Sequence, residues 1–130
     1  MNYKQNFSLL DSNSLKIDEN AAYYCELNDQ EEIQGILEFA KQENLATFFL
    51  GEGTNIVPTK PFDGVIIKNL LKGKKIIDEN TTEVASGENW NDFVRWSLSN
   101  NKFGLENLGL IPGTVGAAPV QNIGAYGSEV

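Results

Sequence analysis

The sequence has no histidine and a single cysteine, Cys25. The first absence leaves no His/Cys cluster of the kind that holds zinc, so no metal site is expected. The second rules out an intrachain disulfide and fits a reducing, cytoplasmic setting. Basic residues are scarce: 10 Lys and Arg against 18 Asp and Glu give a net charge of −8. Nucleic-acid binders present a basic face and anionic membranes attract one, so neither partner is expected. The acidity leaves a phosphate ligand open, because backbone dipoles can hold one without side-chain charge. No apolar run approaches the ~18 residues of a spanning helix. The opening Met1-Asn2-Tyr3-Lys4-Gln5-Asn6 lacks the basic and apolar regions of a signal peptide. Internal repeats, low-complexity segments and coiled-coil heptads are absent too. What is present is an apolar fraction of 41% in 130 residues, enough for the core of one ordinary domain, or of a small one plus part of another.

The most unusual stretch runs from Gly104 to Val130, where glycines recur between small apolar residues and Glu106 is the only charge before Gly127. It is too apolar for a surface linker, and Gly and Pro interrupt it too often for a long helix. A backbone that passes close to something, with no Cβ in the way, fits the pattern. An anionic ligand held by backbone N–H groups is one candidate for that neighbour; simple turns are the other. A related stretch, Gly51-Glu52-Gly53-Thr54-Asn55, lies upstream.

Read in order, residues 1–20 form a polar N-terminal arm that packs through Phe7, Leu9, Leu10, Leu15 and Ile17. Ala21 to Leu27 reads as a strand. Asn28 then caps a helix, with Glu31 in capping-box spacing, that runs to about Asn44 and carries Ile33, Ile36, Leu37 and Ala40 at helical spacing. Ala46 to Leu50 is a second, continuously apolar strand, so the three elements read as the βαβ unit of a buried parallel pair. The glycine loop follows it directly, at the strand end where α/β proteins bind ligands. It is neither GxGxxG nor a Walker A sequence, and Thr54 and Asn55 add hydroxyl and amide donors. Gly64 to Lys68 is a third strand. Two short antiparallel strands follow, near Lys74 to Asp78 and Thr82 to Ser86. The change of pattern near residue 70 marks a subdomain boundary. Asn89 and Asp92 open a second helix with Trp90, Phe93, Val94 and Ser97 on one face, its tryptophans in the core. Arg95 and Lys102 read as solvated charges.

Five motifs stand in the same order and spacing as in the UDP-N-acetylenolpyruvylglucosamine reductase family, which this sequence resembles from about Asn13 onward. They are Gly51-Glu-Gly-Thr-Asn55, Gly87-Glu-Asn-Trp90, Gly104-Leu-Glu-Asn107, Ile111-Pro-Gly-Thr-Val-Gly116 and Gln121-Asn-Ile-Gly-Ala-Tyr-Gly127. The resemblance implies an α+β fold, the FAD-binding fold of the vanillyl-alcohol oxidase and p-cresol methylhydroxylase type, in truncated form. Two α+β subdomains hold FAD between them: residues 1–69 with the βαβ unit and glycine loop, and 70–130 as an incomplete second subdomain. By resemblance Gly51, Glu52, Gly53, Thr54 and Asn55 wrap the FAD pyrophosphate. Ile111, Pro112, Gly113, Thr114, Gly116, Ala117 and Ala118 line the pyrophosphate and flavin. Gln121, Asn122, Gly124, Ala125 and Tyr126 continue along the ribityl and ring side.

The same resemblance implies the reaction of the complete family enzyme. It is a flavoenzyme of peptidoglycan precursor synthesis that carries a hydride from NADPH through FAD to the enolpyruvyl group of a UDP-sugar. The family's chains are much longer than this one. Their serine proton donor, arginine and glutamate, and their substrate domain, lie beyond the motif that ends at Gly127. No catalytic residue is therefore assigned here, and the chain alone is expected to be inactive. A stand-alone flavin- or nucleotide-binding module, or a remnant without function, are the alternative readings. Thr54 keeps the hydroxyl where many relatives have serine. Ala117 and Ala118 lack hydroxyls that some relatives carry. Asn13-Ser14-Leu15 departs from the family's Asn-Thr-Phe, so the N-terminal arm is expected to pack less well.

Overall fold

The computed structural model describes residues Met1–Val130. The chain divides into two compact units, Met1–Leu71 and Lys72–Val130.

The first unit is a four-stranded sheet in the order β1-β2-β4-β3, built from β1 (Lys4–Ser8), β2 (Asn20–Leu27), β3 (Ala46–Leu50) and β4 (Phe62–Asn69). Its centre is β4, where Gly64, Val65, Ile66 and Ile67 are all buried. Alternate residues of a strand point to opposite faces, and β4 divides in this way. Val65 and Ile67 join Cys25, Leu27, Ile36 and Ala40 in one cluster. Ile66 joins Leu9, Ala21, Tyr24 and Leu50 in the other. Helix α1 (Glu32–Gln42) supplies Ile36 and Ala40 to the first face.

Four expectations for this unit are corrected. Strands β2 and β3 flank α1 in sequence but do not pair; both lie parallel to β4, which sits between them. The run Ala46–Phe49 is exposed, and only Leu50 of β3 is buried, because β3 is an edge strand and not half of a buried pair. Apolar content alone does not separate a central strand from an edge one. The N-terminal arm contains a strand, β1, antiparallel to β2, with Phe7 stacked on Tyr24 at 4.0 Å. Leu9 is buried, whereas Leu10 and Leu15 are exposed. Asn28 does not cap α1. Glu32 Oε2 accepts from the amides of Asn28 and Asp29, and Asp29 Oδ1 accepts from Glu31 N–H, so acidic side chains tie the turn that enters the helix, and the first helical amides, of Glu32 and Ile33, donate to the carbonyls of Asp29 and Gln30. The helix ends with Asn44 in the left-handed region (φ 53°), and Leu45 N–H donates back to Ala40 at 2.8 Å. Asparagine tolerates that conformation better than most residues.

The second unit opens with a hairpin, β5 (Lys74–Ile76) and β6 (Thr82–Val84). Helix α2 (Trp90–Ser99) follows, capped by Asn89, whose side chain accepts from Asp92 N–H at 3.0 Å. The rest is irregular: the one-turn α3 (Ala117–Val120), then β7 (Gly124–Ala125) and β8 (Ser128–Glu129). The core of this unit is Trp90, Val94, Leu108, Ala118 and Ile123. Trp90 is fixed there by its indole N–H, which donates to Leu108 O at 2.8 Å. Lys102 is not a solvated helix charge. It lies past the end of α2, where Asn101 takes φ 56°, and its ammonium donates to the carbonyls of Asp78 and Glu79 in the hairpin turn.

Candidate functional site

The glycine loop leaves the C-terminal end of β3, one residue past the buried Leu50. The close neighbour of Gly53 is the chain itself. At φ 73°, a Cβ there would lie 2.0 Å from Ser12 O and 3.0 Å from Asn13 Cα. The 12–13 backbone is held in place by Asn13, which is 3% exposed. Its amide donates to Leu9 O at 2.6 Å and Ile17 O at 2.9 Å, and its oxygen accepts from Ile17 N–H at 3.0 Å. Leu15, in the segment expected to pack weakly, is exposed, but Asn13 beside it is a buried anchor.

Two carbonyls of the loop are tied to the protein. Gly53 O accepts from Ser14 N–H at 3.0 Å, and Gly51 O accepts from the Lys68 ammonium. The amides of Gly53, Thr54 and Asn55 donate to no acceptor of the chain. Thr54 is half-buried and Asn55 exposed. A loop with its carbonyls anchored and successive amides unengaged suits an anion, and on that observation these residues fit the pyrophosphate of a dinucleotide. Lys68, at the end of β4, is the cation beside them. Burial pushes its ammonium below the usual lysine range, while Glu52 and Glu26 push the other way.

The second stretch is built differently. The amides of Val115 and Gly116 donate to the carbonyls of Glu88 and Ser86, both at 2.9 Å, and those of Ala117 and Ala118 donate to Thr114 O. They are engaged within the chain and do not face an anion. Gly116 is glycine because of Ser86, whose Cβ a substituent would approach to 2.6 Å. Gly113 takes φ 127° and is buried with Thr114; Ile111 and Ala117 are half-buried, Pro112 is exposed and Ala118 is in the core. Farther on, Gln121 and Ala125 are half-buried, Asn122 and Gly124 exposed, and Tyr126 is 90% exposed. What this stretch offers a flat ligand is small side chains and accessible backbone.

Sequence reasoning missed three charged groups that shape these loops: Lys68, Lys74 and Glu88. Lys74 and Glu88 form an ion pair at 2.8 Å, largely buried. The Lys74 ammonium, with help from Gly73 N–H, holds the Glu88 carboxyl below its usual range. Glu88 stands inside the Gly87-Glu-Asn-Trp90 motif, which was the available signal. Lys68 carries none, because a lysine ending a strand ordinarily points to water.

Residues 21–130 match the protein family described as FAD binding domain. The chain is 45% identical to the UDP-N-acetylenolpyruvoylglucosamine reductase of Flavobacterium johnsoniae, over all of this chain and 39% of that protein. It is 44% identical to the reductase of that name from Dechloromonas aromatica, again over all of this chain and 39% of the other. The chain thus spans about two fifths of the length of these curated relatives. Among solved structures, the crystal structure of UDP-N-acetylenolpyruvylglucosamine reductase from Thermus caldophilus superimposes with a TM-score of 0.69 at 22% identity. That match covers 98% of this chain and 44% of that one, and the fold is the mixed α+β FAD-binding fold of the vanillyl-alcohol oxidase type. The matched residues take in both glycine-rich stretches, and the chain belongs to the FAD binding domain family, with FAD as its cofactor.

Proposed function

We propose that this chain is the N-terminal, FAD-holding portion of a UDP-N-acetylenolpyruvoylglucosamine reductase. The observation that carries the reading is the 45% identity sustained over the whole chain, with five motifs in register. Gly51, Glu52, Gly53, Thr54 and Asn55 hold the pyrophosphate, with the amides of the last three, the Thr54 hydroxyl and the Asn55 side-chain amide as donors. Ile111, Pro112, Gly113, Thr114, Gly116, Ala117 and Ala118 line the pyrophosphate and flavin as small or flat residues that let the ligand lie close to the chain. Gln121, Asn122, Gly124, Ala125 and Tyr126 continue along the ribityl chain and ring. The chemistry supplied at that site, once FAD is bound, is transfer of a hydride from NADPH to the enolpyruvyl group, giving UDP-N-acetylmuramate for peptidoglycan synthesis in the cytoplasm. This chain contributes binding and orientation and no catalytic residue. The UDP-sugar and NADPH belong to the complete enzyme. Residues 1–69 and 70–130 are the two flavin-holding subdomains.

Thr54→Val and Asn55→Ala test the assignment, because neither side chain takes part in the hydrogen bonds that hold the loop. Each is expected to weaken FAD binding roughly 10- to 150-fold, the worth of one hydrogen bond to a charged group, with an unchanged Tm. An unchanged affinity in both variants would place the pyrophosphate elsewhere.

A further inference from the structure

Glu88 lies in the turn between β6 and α2 and is 8% exposed. Its carboxylate is held from one side only. Oε1 accepts from Gly73 N–H and Oε2 from the Lys74 ammonium, each at 2.8 Å. The Lys72 ammonium donates to Gly87 O at 2.6 Å, and Ala85 N–H donates to Gly73 O at 2.8 Å. The segment Lys72–Gly73–Lys74 is therefore a brace behind the 85–88 turn.

The opposite side of that turn carries the second glycine-rich loop. The carbonyls of Ser86 and Glu88 accept from Gly116 and Val115, and Trp90 N–H donates to Gly113 O at 2.9 Å. Asn89 and Thr114 form an antiparallel bridge. The contact is close: there is no room for a Cβ between Gly116 and Ser86. Brace, turn and loop form three hydrogen-bonded layers, so a displacement of the turn must displace the loop.

A buried ion pair is a poor source of stability, since apolar residues of similar volume often serve as well. What a fixed carboxylate adds is register: it allows one placement of the turn against the brace. We propose that Glu88 is a positioning residue for the flavin, setting the Gly113–Gly116 loop through the turn without touching the ligand. The inference rests on the reading above that this loop lines FAD.

The test uses the whole chain with three substitutions. Glu88→Gln keeps an acceptor for Gly73 and removes the charge facing Lys74. Lys74→Met removes the cation and keeps its stem; Lys74→Arg keeps the pair. Amide hydrogen exchange at Val115 and Gly116 and the FAD dissociation constant are measured for each. Glu88→Gln and Lys74→Met are expected to speed exchange at those two amides and to weaken FAD binding, each by roughly tenfold or more, as misplacement of a binding group does. Exchange at Val94 to Ser97 in α2 stays as in the wild type, and Lys74→Arg behaves like the wild type throughout. Unchanged exchange at Val115 and Gly116 would overturn the positioning role. So would faster exchange that extends equally to α2, which marks general destabilisation. Faster exchange confined to the loop with unchanged FAD affinity would instead overturn the reading that the loop lines the flavin, and the inference with it. If Glu88→Gln fails to fold, the Lys74→Met and Lys74→Arg pair gives the same answer.

Discussion

Replacing Gly53 by alanine isolates what that glycine is for. The residue sits at φ 73°, and the new Cβ would fall 2.0 Å from Ser12 O and 2.9 Å from its carbonyl carbon. The left-handed backbone costs alanine about 1–2 kcal/mol. The overlap must be relieved by moving backbone that Asn13 pins with three hydrogen bonds, and forced displacement of this kind adds about 1–3 kcal/mol. The expected loss is about 2–5 kcal/mol, a large part of the ~5–15 kcal/mol that holds a typical domain. Gly35→Ala is the matched control. Gly35 lies inside α1 with nothing within 4 Å of its Cβ position, so alanine should stabilise by about 0.5–1 kcal/mol. Urea unfolding followed by far-UV circular dichroism reads both. The Gly53→Ala midpoint should fall by on the order of 1 M or more, and that of Gly35→Ala should rise. Trp90 and Trp96, both in the second unit, report that unit in the same samples. A Gly53→Ala midpoint equal to the wild type would refute the packing argument. The experiment also shows why loss of FAD binding on substitution of Gly53 says little about the ligand: the fold fails first.

Two further predictions concern the chemistry of the chain. Burial raises the Cys25 thiol from 9.0 to about 11, and burial, then Glu26, raises Tyr24 to about 12. Folding favours the neutral form of both, so their contribution is complete below pH 9 and is lost as pH rises through 11 and beyond; Cys25→Ala should flatten the stability profile between pH 9 and 11, and an unchanged slope would contradict the assignment. Consumption of NADPH by the purified chain, supplied with FAD and the enolpyruvyl UDP-sugar, should stay at background; turnover would show that catalytic groups are present here after all.

Legibility in the sequence followed how local the physics is. Helix α2 was readable to its cap because Asn89 and Asp92 interact across three residues. The start of α1 was misread because four polar residues, Asn28 to Glu31, offer several capping schemes, and the sequence does not rank them. The strands were found, but their order was not: that β4 enters between β2 and β3 is a long-range fact, and so is the exposure of Phe48 and Phe49 on β3. The glycines announced close approach correctly and its cause only in part. At Gly53 and Gly116 the close neighbours are Ser12 and Ser86, both distant in sequence. Lys102 read as a solvated charge, and Glu88 stood out only as a member of the Gly87-Glu-Asn-Trp90 motif. Their partners, the Asp78–Glu79 turn and the Gly73–Lys74 brace, become visible only once the chain folds back.

A calorimetric titration of FAD into the purified wild-type chain tests most directly whether these residues build a flavin site. The predicted result is saturable binding near one FAD per chain, weakened by Thr54→Val and Asn55→Ala at unchanged Tm. A cooperatively folded chain that takes up no FAD would contradict it.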